Sequence, residues 1–218
     1  MKSDFIDFEG RAGRAKYIVD RFNRYLVGNV LDVGCDKGVL RELLKNVNYT
    51  GIDIGGTPDI QVDLEKIDKL PFGDNNFSTA VCSEVLEHLD SLHHVFDEIV
   101  RVTNNYIIIS LPNSWAVFTK AIRRGRGKHK YYSLPTSRPI DRHKWFFNFT
   151  DAIEFAKEQE KKHNISIVEM VANENPRPFI QRLFRHIRYP QRERYLNRYG
   201  YTIWIVFKKH DIKGVAEI

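Results

Sequence analysis

The sequence predicts an α/β fold, a doubly wound and mostly parallel sheet with helices on both faces. Three observations carry this expectation. The stretch Asn29 to Leu40, N-V-L-D-V-G-C-D-K-G-V-L, sets a short apolar run (Val30, Leu31, Val33) before a turn bracketed by Gly34 and Gly38, which opens directly into the helical stretch Val39 to Leu44. A second apolar run, Tyr49 to Ile52, ends on Asp53, roughly twenty residues further on. Tyr106 to Leu111 is a near-continuous apolar run, the pattern of a strand buried on both faces. A chain of 218 residues suits one such domain with elaborations.

The chemistry of the first turn narrows the ligand. Glycine lets backbone approach a ligand, and a helix start offers unpaired N–H groups. A dinucleotide fingerprint reads G-x-G-x-x-G and seats a pyrophosphate. Here the turn reads G-x-x-x-G and carries Asp32 and Asp36. Two acids repel a pyrophosphate and suit a ligand with a positive centre and an amino group. Asp53 stands where a second strand presents a carboxylate to ribose hydroxyls.

These residues resemble motif I and the second-strand acid of the class I S-adenosylmethionine-dependent methyltransferases. Gln61-Val62-Asp63-Leu64 resembles the segment whose acid meets the adenine amine in that family. Leu70 to Ser78 and Val81 to Leu89, V-C-S-E-V-L-E-H-L, resemble the fourth-strand region of the methyltransferase type 11 branch. The resemblance spans roughly residues 10 to 172 and 200 to 209. It implies a seven-stranded Rossmann-like sheet in the order 3-2-1-4-5-7-6, with an antiparallel last strand. It implies S-adenosylmethionine as cofactor, held by Asp32, Gly34, Cys35, Asp36, Gly38, Asp53, Ile54, Asp63, Leu64, Ser83, Glu84 and His88. Asp36 stands where many members carry glycine; Asp tolerates positive φ better than most residues.

In chain order, residues 1 to 10 read as poorly structured. Arg14 to Leu26 reads as a helix, with Ala15, Ile18, Val19, Phe22 and Leu26 on one face. The link Ile54 to Asp59 is too short for a crossover helix, so Ile60 to Val62 should be a short edge strand. Thr79 to Cys82 is the fourth strand, with Ser83 able to cap a helix after it and His88 one turn beyond Glu84. Asp90 or Ser91 caps a helix bearing Leu92, Val95, Phe96, Ile99 and Val100. Asp151 caps another, to about Lys162, and Ile165 to Val171 and Tyr201 to Phe207 form the final hairpin.

Two insertions elaborate this single domain. Residues 114 to 148 form a basic loop, mobile over Arg123 to Lys130 and ordered over Asp141 to Phe147. Residues 173 to 200 hold a basic helix whose apolar face, Phe179, Ile180, Leu183, Phe184 and Ile187, should pack on the core. Its arginine face is either solvated or a lid over an anionic substrate. Arg142, Trp145, Arg182 and Arg185 are the candidate substrate contacts, and His143 and Asp141 the candidate base for acceptor deprotonation.

Composition limits the partners. The net charge of +6 is moderate, and the arginines alternate with aromatics rather than forming one tract. That favours a small-molecule, carbohydrate or lipid-linked acceptor, or an anionic one, over RNA, which stays as an alternative. A non-catalytic methyltransferase-like partner protein is the third reading, on the run Ile109 to Asn113 with Trp115. Lacking an N-P-P-Y motif after the fourth strand, and a proline before Cys82, the chain does not suit exocyclic base-amine or cysteine-dependent cytosine methylation. Two cysteines and no apolar spanning run predict a reduced, cytoplasmic protein, with peripheral membrane contact open. Neither the cysteines nor the histidines show metal-ligand spacing, so no metal is expected.

Overall fold

A computed structural model describes residues 1–125, 131–132, 134, 136–137 and 141–210. Among the described residues eight strands make one sheet: β1 (Lys2–Phe5), β2 (Asn29–Val33), β3 (Asn48–Asp53), β4 (Ile60–Gln61), β5 (Phe77–Ser83), β6 (Thr103–Pro112), β7 (Ile165–Glu174) and β8 (Gly200–Lys209). Their order is β1-β7-β8-β6-β5-β2-β3-β4. Read from the β4 edge, this is the expected 3-2-1-4-5-7-6 order with one strand added. Only β8 runs antiparallel to its neighbours, β6 and β7.

The added strand corrects the expectation for residues 1 to 10. β1 pairs in parallel with β7, Lys2 opposite Val171 through Phe5 opposite Glu174. Only four residues long, with three of them polar, it has no apolar alternation to betray it. Side chains fix it instead: Asp4 accepts from Tyr17 Oη at 2.8 Å and pairs with Arg21 at 3.0 Å, and Ser3 Oγ donates to Glu174 at 2.5 Å.

Among the described residues there are seven α-helices: α1 (Gly10–Phe22), α2 (Val39–Leu43), α3 (Leu92–Val102), α4 (Ser114–Arg123), α5 (Phe149–Lys162), α6 (Phe179–Arg188) and α7 (Arg192–Tyr199). Strand alternation sends side chains to two cores. Leu31, Cys82, Ile107, Ile109 and Phe207 meet α3, α5 and α7 on one face. Val30, Val81, Ile108, Trp204 and Val206 meet α1 and α2 on the other. Each strand buried on both faces therefore reads as a continuous apolar run.

Local corrections follow from capping. α5 starts at Asn148, whose side chain accepts from Thr150 and Asp151 while Asp151 returns a bond to the Asn148 N–H, a full capping box. Asp151 is thus the third helical residue and not the cap. No α-helix starts directly at the end of β5; Leu86–His88 is a single 3₁₀ turn, entered through Glu84 at φ +52°. Ser83 caps nothing and shares a hydrogen bond with Ser110 Oγ at 3.0 Å. The segment expected to be a loop after β6 begins with α4, because Asn113 Oδ1 accepts from Ala116 N. Asn113 Nδ2 also reaches the carbonyls of Leu196, Asn197 and Gly200, tying α4 to the end of α7. Of the stretch expected to be mobile, Arg123 ends α4, and residues 126–130 lie outside the described residues.

The basic insertion is inverted relative to expectation. Phe179, Ile180, Leu183, Phe184 and Ile187 are 47 to 73% exposed. The arginine side faces the body: Arg182 lies 3.6 Å over the Phe5 ring and Arg185 4.4 Å over Tyr199. His186 stacks on Tyr195 with ring centroids 4.0 Å apart. The surface beneath α6 offers aromatic faces, which take cations as readily as apolar side chains.

Candidate active site

The carboxyl ends of β2, β3, β4 and β5 open into a cavity of about 510 Å³. An open α/β sheet binds ligands at this edge, and the volume suits a small molecule. Eleven of the twelve candidate cofactor residues line it: Asp32, Gly34, Cys35, Asp36, Asp53, Ile54, Asp63, Leu64, Ser83, Glu84 and His88. Gly38 does not; at φ +67° it starts α2 from below the cavity wall.

The glycine turn has the shape its sequence requires. Gly34 sits at φ +78°, and a Cβ there would lie 2.3 Å from Val85 Cγ2. Asp36 takes φ +48° without a glycine, and its carboxylate pairs with Arg11. The Asp53 carboxylate is fixed by two backbone donors, Asp36 N at 2.8 Å and Gly55 N at 2.9 Å. Each of its oxygens keeps a second acceptor site for a hydroxyl.

Burial sets the acids apart. Asp32 is 6% exposed, accepts from Tyr49 Oη at 2.7 Å, and burial pushes its carboxyl up to about 6. Burial raises the Cys35 thiol to about 11, so it stays protonated and is no nucleophile. Asp63 is held below the usual range, chiefly by its hydrogen bond to Lys66, and remains ionised. Glu84 pairs with Arg14 and accepts from Thr202 Oγ1 at 3.0 Å. The residues thus fit a ligand bearing ribose, an amino group and a positive centre: acceptors line the wall, and the glycine turn leaves room for close approach.

At the rim opposite α2, a second cluster forms. His88 Nδ1 lies 2.7 Å from Asp141 Oδ1, at ion-pair distance without hydrogen-bond alignment. The rings of His88 and His143 meet edge to face at 4.5 Å. Tyr132 Oη contacts His143 Nδ1 at 2.8 Å and Ser114 Oγ at 2.6 Å, and Tyr131 stacks on the same imidazole at 4.3 Å. Two tyrosines and a helix start thereby fix His143. Asp141 lines the cofactor cavity as well.

Glu87 is the residue sequence reasoning missed. It is 1% exposed, and its Oε2 finds no hydrogen-bond partner among the described residues. Burial, and then repulsion from Glu84, pushes its carboxyl well above the usual range. One donor atom from each of Glu87, His88 and His143 lies within 4.8 Å of the others. Spacing could not announce this set: two members are sequence neighbours on a 3₁₀ turn, and the third comes from a distant loop.

The candidate substrate residues divide. Trp145 donates to the Leu89 carbonyl at 2.6 Å and lines an apolar cavity of about 320 Å³ with Phe146, Phe147 and Phe155. Arg142 is exposed next to the histidine pair. Neither Arg182 nor Arg185 lines the cofactor cavity. Arg185 lines a separate cavity of about 410 Å³ between α4 and the segment leading into α6.

Known proteins agree with this geometry. A family model described as a methyltransferase domain matches residues 11–203. The small RNA methyltransferase HEN1 superimposes with a TM-score of 0.59 at 16% identity, over 91% of this chain and 25% of HEN1, so the chain corresponds to about a quarter of that protein. A SAM-dependent methyltransferase from Archaeoglobus fulgidus gives 0.58 at 18% identity, over 93% of this chain and 96% of that one. Magnesium protoporphyrin IX methyltransferase from Synechocystis, with bound SAH, gives 0.51 at 15% identity, over 90% and 80%. A comparison with curated proteins returned no match. Such identities speak for the fold, while the family match covers most of the chain: it belongs to the methyltransferase-domain family and is a class I S-adenosylmethionine-dependent methyltransferase.

Proposed function

We propose that the chain methylates a hydroxyl oxygen of a small-molecule or carbohydrate acceptor. The observation that carries this reading is the His88, Asp141 and His143 cluster at the cofactor cavity's rim. The cofactor supplies an electrophilic methyl group on a sulfonium. A hydroxyl attacks well only if its proton leaves during the transfer, which calls for a positioned base. His143, braced by Tyr131 and Tyr132, is our base, and Asp141 orients His88 beside it. Asp53 would hold the ribose and Asp63 the adenine amine. Trp145 and Phe146 line an apolar cavity that suits an acceptor with an apolar flank.

A labelled-cofactor screen over a metabolite pool, with an RNA fraction alongside, tests this. Label in small molecules supports the reading, and label confined to RNA rejects it. Once an acceptor is found, His143→Gln should lower kcat by about 10²–10⁴-fold, the range for a lost general base. Its cofactor affinity should match the parent.

The buried Glu87 favours a second reading, in which Glu87, His88 and His143 hold a divalent cation that orients the acceptor oxygen. One carboxylate and two imidazoles suit zinc, manganese or iron better than calcium. A buried acid with one carboxylate oxygen left without a hydrogen bond beside two imidazoles is a costly arrangement that a bound cation would relieve. Activity that is lost to a chelator and restored by manganese or zinc, but not in Glu87→Gln, supports this version. Activity indifferent to chelation leaves the metal-free base.

A further inference from the structure

We propose that α6 is a docking helix for the surface of an anionic phospholipid bilayer. Its five large apolar side chains point outward, away from the body, and its arginines point inward or flank the stripe. Arg177 and Arg188, both exposed, stand at its two ends. A ten-residue helix with Phe, Leu and Ile on one side and cations around it is the composition that lies in a lipid interface.

Charge selects the lipid. The chain has 34 basic and 28 acidic residues. Residues 175–199 hold seven arginines and one acid, Glu193, which leaves 27 of each sign elsewhere. The whole positive excess therefore sits on the segment that carries the exposed stripe. Beside it, the cavity of about 410 Å³ is lined by Arg123, Arg124, Arg177, Arg185 and Arg198 and by no acid. Five guanidinium groups around one opening suit a phosphate headgroup. A groove would suit a partner helix, but α6 is convex, and its side chains enter a fluid apolar layer without a matching surface. Among the described residues no helix is long and apolar enough to cross a membrane, so the contact is peripheral.

Sedimentation of the full chain with vesicles tests this. Phosphatidylcholine vesicles containing phosphatidylglycerol should pellet the protein, pure phosphatidylcholine should do so far less, and high salt should release it. Phe184→Asp with Ile187→Asp should weaken binding by about tenfold or more. Arg123→Ser with Arg124→Ser should act in the same direction. Both pairs are exposed, so melting temperature and cofactor affinity should stay at parental values. Failure to bind anionic vesicles, equal binding to neutral ones, or full binding by the aspartate pair overturns the proposal. So does a solution dimer that Phe184→Asp dissolves, or arginine-dependent retention of RNA without vesicle binding. The methyltransferase reading survives any of these results, since it rests on the other end of the sheet.

Discussion

The cofactor edge and the α6 insertion share one kind of apolar periodicity but bury opposite faces of it. Between Asn29 and Val102, most apolar side chains lie where strand alternation and helix periodicity put them, because apolar side chains of the flanking helices cover both faces of the sheet. Over α6 the periodicity is just as clear, yet the apolar side faces out. The platform beneath it is built from Phe5, Tyr195 and Tyr199, and aromatic faces accept guanidinium groups. Periodicity tells which residues share a face; it does not tell which face is inside. That choice belongs to the partner surface.

Truncation in the two regions should therefore differ most. Phe96 of α3 is fully buried against Phe155 and Phe207. Phe96→Ala should cost about 3–5 kcal/mol of unfolding free energy, as large-to-small changes in cores do. Urea denaturation measures it, and a loss below roughly 1 kcal/mol would break the contrast.

Asp32 sharpens the comparison through pH. Its folded-state pKa is raised from 3.8 to about 6, so the folded protein binds the proton more tightly than the unfolded chain. Stability then falls as pH rises from about 4 to about 6, and stays at the lower level above that. The sign is opposite to that of a salt-bridged carboxylate. Asp32→Asn should remove this fall and gain at most about 3 kcal/mol at pH 7, read from denaturation at pH 4 and pH 7. A variant with the parent's pH profile would show that Asp32 is not the group responsible.

Asp53 both fixes the glycine turn and lines the cavity. Asp53→Ala should weaken cofactor binding by about 1–3 kcal/mol in calorimetry, the cost of a lost charged hydrogen bond. It also frees the N–H groups of Asp36 and Gly55, so the turn that carries Asp36 loosens with it. Parental affinity would remove Asp53 from the site.

Legibility follows the range of the forces involved. The glycine turn, Asp53 and the short link before β4 were legible because strand length and turn geometry are local constraints. β1 was not, since edge pairing and the Asp4 and Ser3 side-chain bonds supply what apolar content does not. Asp141 and His143 were legible as aromatic-flanked polar residues in a long insertion. Glu87 was not, because its meaning depends on a histidine 56 positions away and on burial that an E-H pair does not advertise.

The smallest effect is the most diagnostic. Phe184 is 66% exposed, so replacing it with Ser removes little area that folding had buried. Surface changes of this kind alter stability by about 0.5 kcal/mol or less. The same substitution on a helix packed by its apolar face, as periodicity alone would have it, would cost several times that. The helix would also lose its anchorage. Arg182→Ala supplies the mirror image. It removes a cation held 3.6 Å over a ring, worth roughly 0.5–2 kcal/mol. If α6 is seated by its arginines, Arg182→Ala destabilises more than Phe184→Ser. The reverse order in urea denaturation would mean that the aromatic stripe, and not the guanidinium face, holds the helix to the body.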